Sequence, residues 1–147
     1  MRYSLRQVLA QVQFDIVQNL NDYISSTQLD GESWFHELDF HDDAPRVQGD
    51  EFYMGIYPSS PEGAVFEGNA QQSKYTIALD CILNDNRKDS NLPAYYLSAV
   101  LEYLKKKCYG DSSTPTYAET ARVDLDADVN AFSVAIEVTV FNMDRRL

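Results

Sequence analysis

The sequence predicts an α+β fold, a mostly antiparallel sheet with two helices packed on one face. Two stretches repeat apolar residues at three- and four-residue steps, which is the period of an amphipathic helix. Other stretches alternate apolar and polar residues, which is the period of a strand with one buried face. Because such strands must cover their apolar face, two helices lying on that face satisfy both patterns at once.

The first helix is predicted over residues 4 to 24, with its end near Ser25–Ser26. The Ser4 hydroxyl can cap its start by accepting a hydrogen bond from an otherwise unpaired backbone N–H. The apolar stripe is expected to consist of Leu5, Val8, Leu9, Val12, Ile16, Leu20, Tyr23 and Ile24. The polar side is expected to carry Gln7, Gln11, Asp15, Gln18 and Asp22.

The second helix is predicted to open at Leu92-Pro93, where the missing N–H of proline costs nothing. Its apolar stripe is expected to be Tyr96, Leu97, Val100, Leu101 and Leu104. Lys105, Lys106 and Lys107 are expected in the last turn, where positive charge complements the helix dipole. Gly110 is the expected stop.

Four strands are predicted, over residues 51–57, 74–83, 116–128 and 131–141. The last two are separated by a short link and should pair as an antiparallel hairpin. One face of the third strand is expected to carry Ala121, Val123, Leu125 and Ala127. Its other face carries Arg122, Asp124 and Asp126, and we expect this acidic face to be solvated or to meet another subunit.

Two long polar segments, residues 27–50 and 58–73, exceed the usual length of a connection between elements. A short strand or turn is expected around Trp34–Leu38. Ala64–Phe66 forms a small apolar island within the second segment. Segments of this length suit loops that reach a neighbouring subunit.

The bulk properties indicate one domain, residues 1–147, with 44% apolar residues. The net charge of −11 opposes non-specific binding to nucleic acid and docking on anionic membranes. No stretch approaches the roughly 20 apolar residues that cross a bilayer, and the N-terminus lacks a secretory apolar region, so we expect a cytoplasmic protein. Cys81 and Cys108 form no spaced motif and are expected to be reduced structural thiols.

Residues that could carry chemistry form no recognised catalytic pattern. His36 and His41 lie five residues apart among carboxylates, which does not match the four-residue spacing of a helical zinc motif, and a solvated acidic loop is favoured. Asp124, Asp126 and Asp128 could bind a hard cation, but the stretch lacks the glycine and distal glutamate of a calcium loop. With no nucleophile elbow or phosphate-binding loop either, the sequence predicts no enzyme, no metal and no cofactor.

The charged clusters are better explained as contact surfaces between proteins. Candidate interface residues are Arg122, Asp124, Asp126, Asp128, Lys105, Lys106, Arg145 and Arg146. The basic residues among them could form a nucleic-acid patch or meet the acidic face of a neighbouring subunit. Ten tyrosines add to this interpretation, since tyrosine is enriched at protein interfaces.

The order of elements resembles that of tailed-phage tail-terminator and tail-completion proteins. The resemblance rests on the long first helix, the strand ending in a polar turn (IALDCILNDNRKDSN), the central helix (LPAYYLSAVLEYLKKK) and the final strand pair (ARVDLDAD, FSVAIEVTVF). It implies a homo-oligomeric ring, usually a hexamer, that caps the tail tube and joins it to the head connector without catalysis. Such a protein is cytoplasmic during assembly and then part of the tail or neck of the virion.

Two other functions stay open on the sequence alone. An acidic binding module, such as an inhibitor, an immunity protein or an adaptor, would use the same acidic strand to hold a basic partner. An enzyme or metal protein would use residues 36–43 or the acidic strand.

Overall fold

The computed structural model describes residues 4–45, 51–59, 64–66, 72–84, 91–110 and 116–141. These residues form two α-helices and eight β-strands. The elements are α1 (Leu5–Ser26), β1 (Asp39–His41), β2 (Phe52–Pro58), β3 (Ala64–Phe66), β4 (Gln72–Leu83), α2 (Leu92–Leu104), β5 (Cys108–Tyr109), β6 (Thr116–Tyr117), β7 (Glu119–Asp126) and β8 (Ala131–Phe141). No helix within these ranges is both long enough and apolar enough to cross a membrane.

The main sheet has six strands in the order β1-β2-β4-β8-β7, with β3 paired to β4 beside this path. Its pairs are antiparallel except for β1 and β2. Both helices pack on the face that carries Met54, Ile77 and Val134, which we call the helix side. The opposite face carries Tyr57, Asp80 and Ser133 and is called the open side. The predicted α+β class is therefore confirmed, with its mostly antiparallel sheet and its two helices on one face.

Helix α1 has the predicted amphipathic character. Its fully buried residues are Val8, Val12, Ile16, Leu20 and Ile24, one on each turn. Its start is fixed by a capping box in which the Ser4 hydroxyl accepts from the Gln7 amide at 3.2 Å and the Ser4 amide donates to Gln7 Oε1 at 2.8 Å. The helix thus begins at a residue that the sequence identifies and buries the stripe that the sequence predicts.

Helix α2 ends earlier than predicted. Its last residue is Leu104, so the expectation that the three lysines occupy its last turn is wrong. The expectation for Gly110 as the helix stop is also wrong, because this residue follows β5. Gly110 has a φ of 103°, and its peptide groups pair with the Gln11 side chain, the N–H donating at 2.8 Å and the C=O accepting at 2.9 Å. Its left-handed conformation therefore belongs to a contact with α1.

The predicted strand over residues 116–128 is interrupted twice. It divides at Ala118 into β6 and β7, and a bulge lies between Thr120 and Arg122. It ends at Asp126, whose carboxylate accepts from the Asp128 amide at 3.2 Å and starts a short 3₁₀ turn. Placing Asp128 on the strand was therefore wrong, because a local side-chain hydrogen bond replaces sheet pairing at this point.

The short strand in the first long segment lies just after the predicted position, at β1 instead of Trp34–Leu38. Residues 34–38 are held by Tyr96, a fully buried residue of α2. The Tyr96 hydroxyl donates to the His36 carbonyl at 2.7 Å and accepts from the His36 amide at 2.7 Å. Because both backbone groups of His36 are used by this hydroxyl, the segment is anchored to the helix instead of to a neighbouring strand.

Candidate interaction site on the β7 edge

Strand β7 forms one edge of the sheet and, among the strands that the structure describes, pairs only with β8. All eight of its residues are exposed. Val123 and Leu125 lie on the helix side, opposite the buried Val134 and Phe132 of β8, yet they are 41% and 47% exposed. The apolar surface of the hairpin therefore continues past the area that the two helices cover.

The open side of β7 carries the predicted charged residues Arg122, Asp124 and Asp126. Arg122 Nε lies 3.3 Å from Asp124 Oδ2, and both side chains are about two-thirds exposed, at 64% and 69%. An ion pair in this position contributes little to folding, because water screens it and both side chains lose rotamer freedom. These residues are therefore available for contact with another molecule.

The open side is covered at β2 and uncovered at β7. Above Gly55 of β2, the backbone of residues 42–45 crosses so closely that a Cβ at this position would lie 2.0 Å from the Asp43 carbonyl oxygen. Between this crossing and β7 lies a hollow of about 370 Å³. Its floor includes Ser133, and Asp124 and Asp126 form part of its rim.

Both carboxylate oxygens of Asp80, which lines the same hollow, accept hydrogen bonds from neighbouring side chains. The Tyr57 hydroxyl donates to one of its oxygens and the Ser133 hydroxyl donates to the other. Burial, followed by the hydrogen bond to Asp80 and the charge of Asp80, raises the pKa of Tyr57 to about 12. This network orders the open side of the sheet centre.

Lys105 and Lys106 are exposed just beyond α2 and line a hollow of about 480 Å³ with Tyr23 and Tyr103. The Ala118 amide donates to the Lys107 carbonyl at 3.0 Å, so the lysines lie near the start of β7. Asp124 is six residues further on, about 20 Å along an extended chain. The predicted basic and acidic interface residues are thus separated along β7 and do not form one site.

Lys107 differs from the two lysines before it, because it belongs to a polar cluster around Asp15. The Tyr103 and Tyr109 hydroxyls donate to the two Asp15 oxygens at 2.8 and 2.7 Å. Lys107 Nζ lies 3.6 Å from Asp15 Oδ1 and 4.4 Å from the centre of the Tyr103 ring. Burial and the Asp15 bonds raise the pKa of both tyrosines well above the ordinary value.

The sequence placed Asp15 and Gln11 on the polar side of α1, where solvent was expected. Both residues instead contact the chain that follows α2. Asp15 lies beside the buried stripe of the helix, one residue before Ile16. That position is the one signal that could have indicated a buried carboxylate, and the tyrosines that satisfy it are distant in the sequence.

The two histidines serve packing. The His41 ring stacks on Tyr53 with a centroid distance of 3.8 Å, and His41 Nε2 lies 3.4 Å from Glu51 Oε2. The His36 ring packs against Phe52 at 5.2 Å. Within the described part of the chain, no group of three or more histidine, cysteine, aspartate or glutamate side chains is placed to hold a metal ion.

The two cysteines have different environments. Cys81 is a buried free thiol, and burial raises its pKa well above the ordinary value. Cys108 is also free and is exposed. Arg145 and Arg146 lie outside the described residues.

Comparisons with known proteins add no functional assignment. No protein-family model matches the chain, and no curated protein matches it. A solved structure is similar over 90% of this chain and 92% of the other, with 13% identity and a TM-score of 0.41. A likeness this weak carries no argument about what the protein does.

Proposed function

We propose that the protein is a structural, non-enzymatic virion assembly protein, similar to a phage tail terminator, that forms a ring at the head-proximal end of the tail. Its partners are further copies of itself, the tail-tube protein and the head-connector protein. It is cytoplasmic during assembly and part of the virion tail or neck afterwards. The observation that supports this most strongly is β7, an eight-residue edge strand exposed along its whole length.

The composition of this edge favours contact with protein. Val123, Leu125 and Val129 expose apolar surface at 41%, 47% and 54%, and charged side chains flank them. Apolar patches with polar surroundings are typical of interaction sites. Strand edges also present unpaired backbone N–H and C=O groups that another chain can use.

The separation of acid and base supports a head-to-tail ring. In a ring each subunit uses one surface toward its left neighbour and a different surface toward its right neighbour. The acidic end of β7 and the exposed Lys105 and Lys106 provide two such surfaces of opposite charge. The net charge of −11 also suits a channel through which DNA slides without binding.

Electron microscopy and native mass measurement of four purified proteins test the ring. The wild type is expected to form rings, and reversing one surface with Lys105→Glu and Lys106→Glu is expected to prevent them. Adding Asp126→Lys and Asp128→Lys to that variant reverses both surfaces and is expected to restore rings. Arg6→Glu combined with Ala10→Glu and Gln18→Glu, exposed changes on α1 that lower the net charge by the same amount, is the matched control and should leave rings intact.

A strictly monomeric wild-type protein at high micromolar concentration, with no rings, would contradict the proposal. Loss of rings in this α1 control to the same degree would show that net charge, and not the two surfaces, controls assembly.

The exposed acidic residues Asp124 and Asp126 favour one alternative, an acidic binding module such as an inhibitor, an immunity protein or an adaptor. That function predicts a one-to-one complex with a basic protein that weakens as salt is added. Reversing the charge of both aspartates should abolish the complex. Unchanged affinity in calorimetry would exclude this surface.

A further inference from the structure

We infer that β7 also pairs with β7 of a second copy of this chain, antiparallel and with Val123 on the twofold axis. This contact goes beyond the proposed ring, because a twofold contact closes on itself and a ring contact does not. The twofold contact uses the backbone edge of β7, whereas the ring contact uses charged side chains near the two ends of this strand. The two proposals can therefore fail separately.

The edge lacks two of the residues that usually prevent strand pairing, proline and lysine, although it carries charged side chains and one bulge. Residues 119–126 contain no proline and no lysine, and their bulge lies at one end, between Thr120 and Arg122. From Arg122 to Asp126 the register with β8 is regular. The exposed edge can therefore serve as a template only for a strand whose charges oppose its own, and a second β7 supplies such a strand with the same length and twist.

The two faces of β7 restrict which register is allowed. Pairing that is shifted by one residue would place apolar residues of one copy beside charged residues of the other on the same side of the sheet. Two identical antiparallel strands avoid this mismatch only when one residue of the strand lies opposite its own copy across the twofold axis. In the regular part of β7, before its last residue, four residues could take this central position, residues 122 to 125.

Charge selects one of these four registers. Centring on Arg122 or on Asp124 places that residue opposite its own copy, and centring on Leu125 places Asp124 opposite Asp126. Like charges directly opposite each other destabilise a strand pair. Centring on Val123 instead places Arg122 opposite Asp124, and symmetry makes this favourable pair twice.

The same register matches the apolar residues. On the helix side, Val123 meets its own copy, and Leu125 lies toward the bulge at Thr120 and Ala121 of the other copy. In the single chain, the Val123 and Leu125 side chains are 41% and 47% exposed. On the open side, the Arg122–Asp124 pair already present within each chain would join its copy, so that four charges alternate in sign across the two strands.

Cysteine cross-linking tests the register directly. In a Cys108→Ser background, which removes the exposed native thiol, Val123→Cys should form a disulfide-linked dimer under mild oxidation. Leu125→Cys is the matched control, since it lies on the same side with similar exposure. In the proposed register the two copies of residue 125 are offset by four residues, about 13 Å, which is beyond the roughly 7 Å that a disulfide can span.

Charge exchange tests the pairing independently. Arg122→Asp and Asp124→Arg should each weaken dimer formation about 10-fold in sedimentation equilibrium, because each places like charges opposite one another twice. The double variant should regain affinity close to that of the wild type. Asp126 lies beyond the regular segment, where the bulge of the other copy begins, so Asp126→Arg should not weaken dimer formation.

The β7–β7 contact would be contradicted by a wild-type protein that stays monomeric when its rings are dissociated. Equal cross-linking at residues 123 and 125 would also contradict it, as would a double charge variant that dimerises no more tightly than the single variants. Rings without the Val123→Cys cross-link would leave the ring proposal in place and remove this one. A cross-linked dimer without rings would do the reverse.

Discussion

The two arms of the last hairpin have similar alternating sequences and opposite environments. In β8, Val134, Ile136 and Val138 are completely buried beneath the helices. In β7, Val123 faces the same side as its neighbour Val134 and is 41% exposed. The strands therefore differ in how far they are covered, because the helices bury these residues of β8, whereas α2 contacts β7 and still leaves Val123 and Leu125 partly exposed.

Alternation of apolar and polar residues therefore predicts a strand and its two faces but not whether either face is covered. A core strand and an interface strand require the same pattern, since both bury an apolar side, the first against its own chain and the second against another. In β8 that cover belongs to the same chain. For β7 we propose that it comes from another copy.

The largest expected effect comes from the fully packed region. Asp15→Ala should lower the free energy of unfolding by about 3 kcal/mol, because the Tyr103 and Tyr109 hydroxyls lose their acceptor. Urea denaturation monitored by circular dichroism measures this. Asp22→Ala, an exposed aspartate on the same helix, is the control and should change stability by less than about 0.5 kcal/mol.

Truncating one valine in each strand tests whether β7 and β8 differ in burial. Val134→Ala should cost about 2 kcal/mol, because it removes fully buried methyl groups and leaves a cavity. Val123→Ala, directly opposite on β7, should cost less than about 0.5 kcal/mol in dilute protein. Equal costs for the two valines at low concentration would mean that β7 is covered within the single chain.

The pH dependence of stability should show the Tyr57–Asp80 bond at the sheet centre. The pKa of Tyr57 rises from 10.0 to about 12 on folding, so the unfolded chain loses this proton first as pH increases. The contribution of Tyr57 is therefore complete below pH 10 and is lost between pH 10 and about 12. Tyr57→Phe should reduce the decline of the urea midpoint over that interval, and Tyr117→Phe is the exposed matched variant.

The smallest expected effect is that of the charges on β7. Arg122→Ala should change the free energy of unfolding by less than about 0.5 kcal/mol, because its pair with Asp124 is solvated. The same variant should weaken self-association measurably in sedimentation. A large loss of stability without a change in association would assign Arg122 to the fold instead of to an interface.

Much of the fold could be predicted from local patterns. The α1 stripe, its Ser4 cap, the α2 start and the final hairpin all follow from residues that are close in sequence. The end of α2 could not be predicted in this way, because Gly110 and Lys107 are fixed by Gln11 and Asp15 of α1. Contacts between residues almost a hundred positions apart leave no periodic signal.

The candidate site was predicted in part. Arg122, Asp124 and Asp126 do share one face of a strand, as the alternation requires. Asp128 does not, because the Asp126 carboxylate turns the chain before it. The exposure of Val123 and Leu125 could not be predicted, since it depends on how far the two helices extend across the sheet.

Hydrogen exchange of the β7 amides at two protein concentrations tests the central claim, that this edge is a contact surface between copies. We predict that the β7 amides that do not donate to β8 exchange rapidly in dilute protein and become protected in concentrated protein, while β8 is protected in both. Equal exchange of β7 at both concentrations, in a sample shown to be monomeric, would contradict the claim.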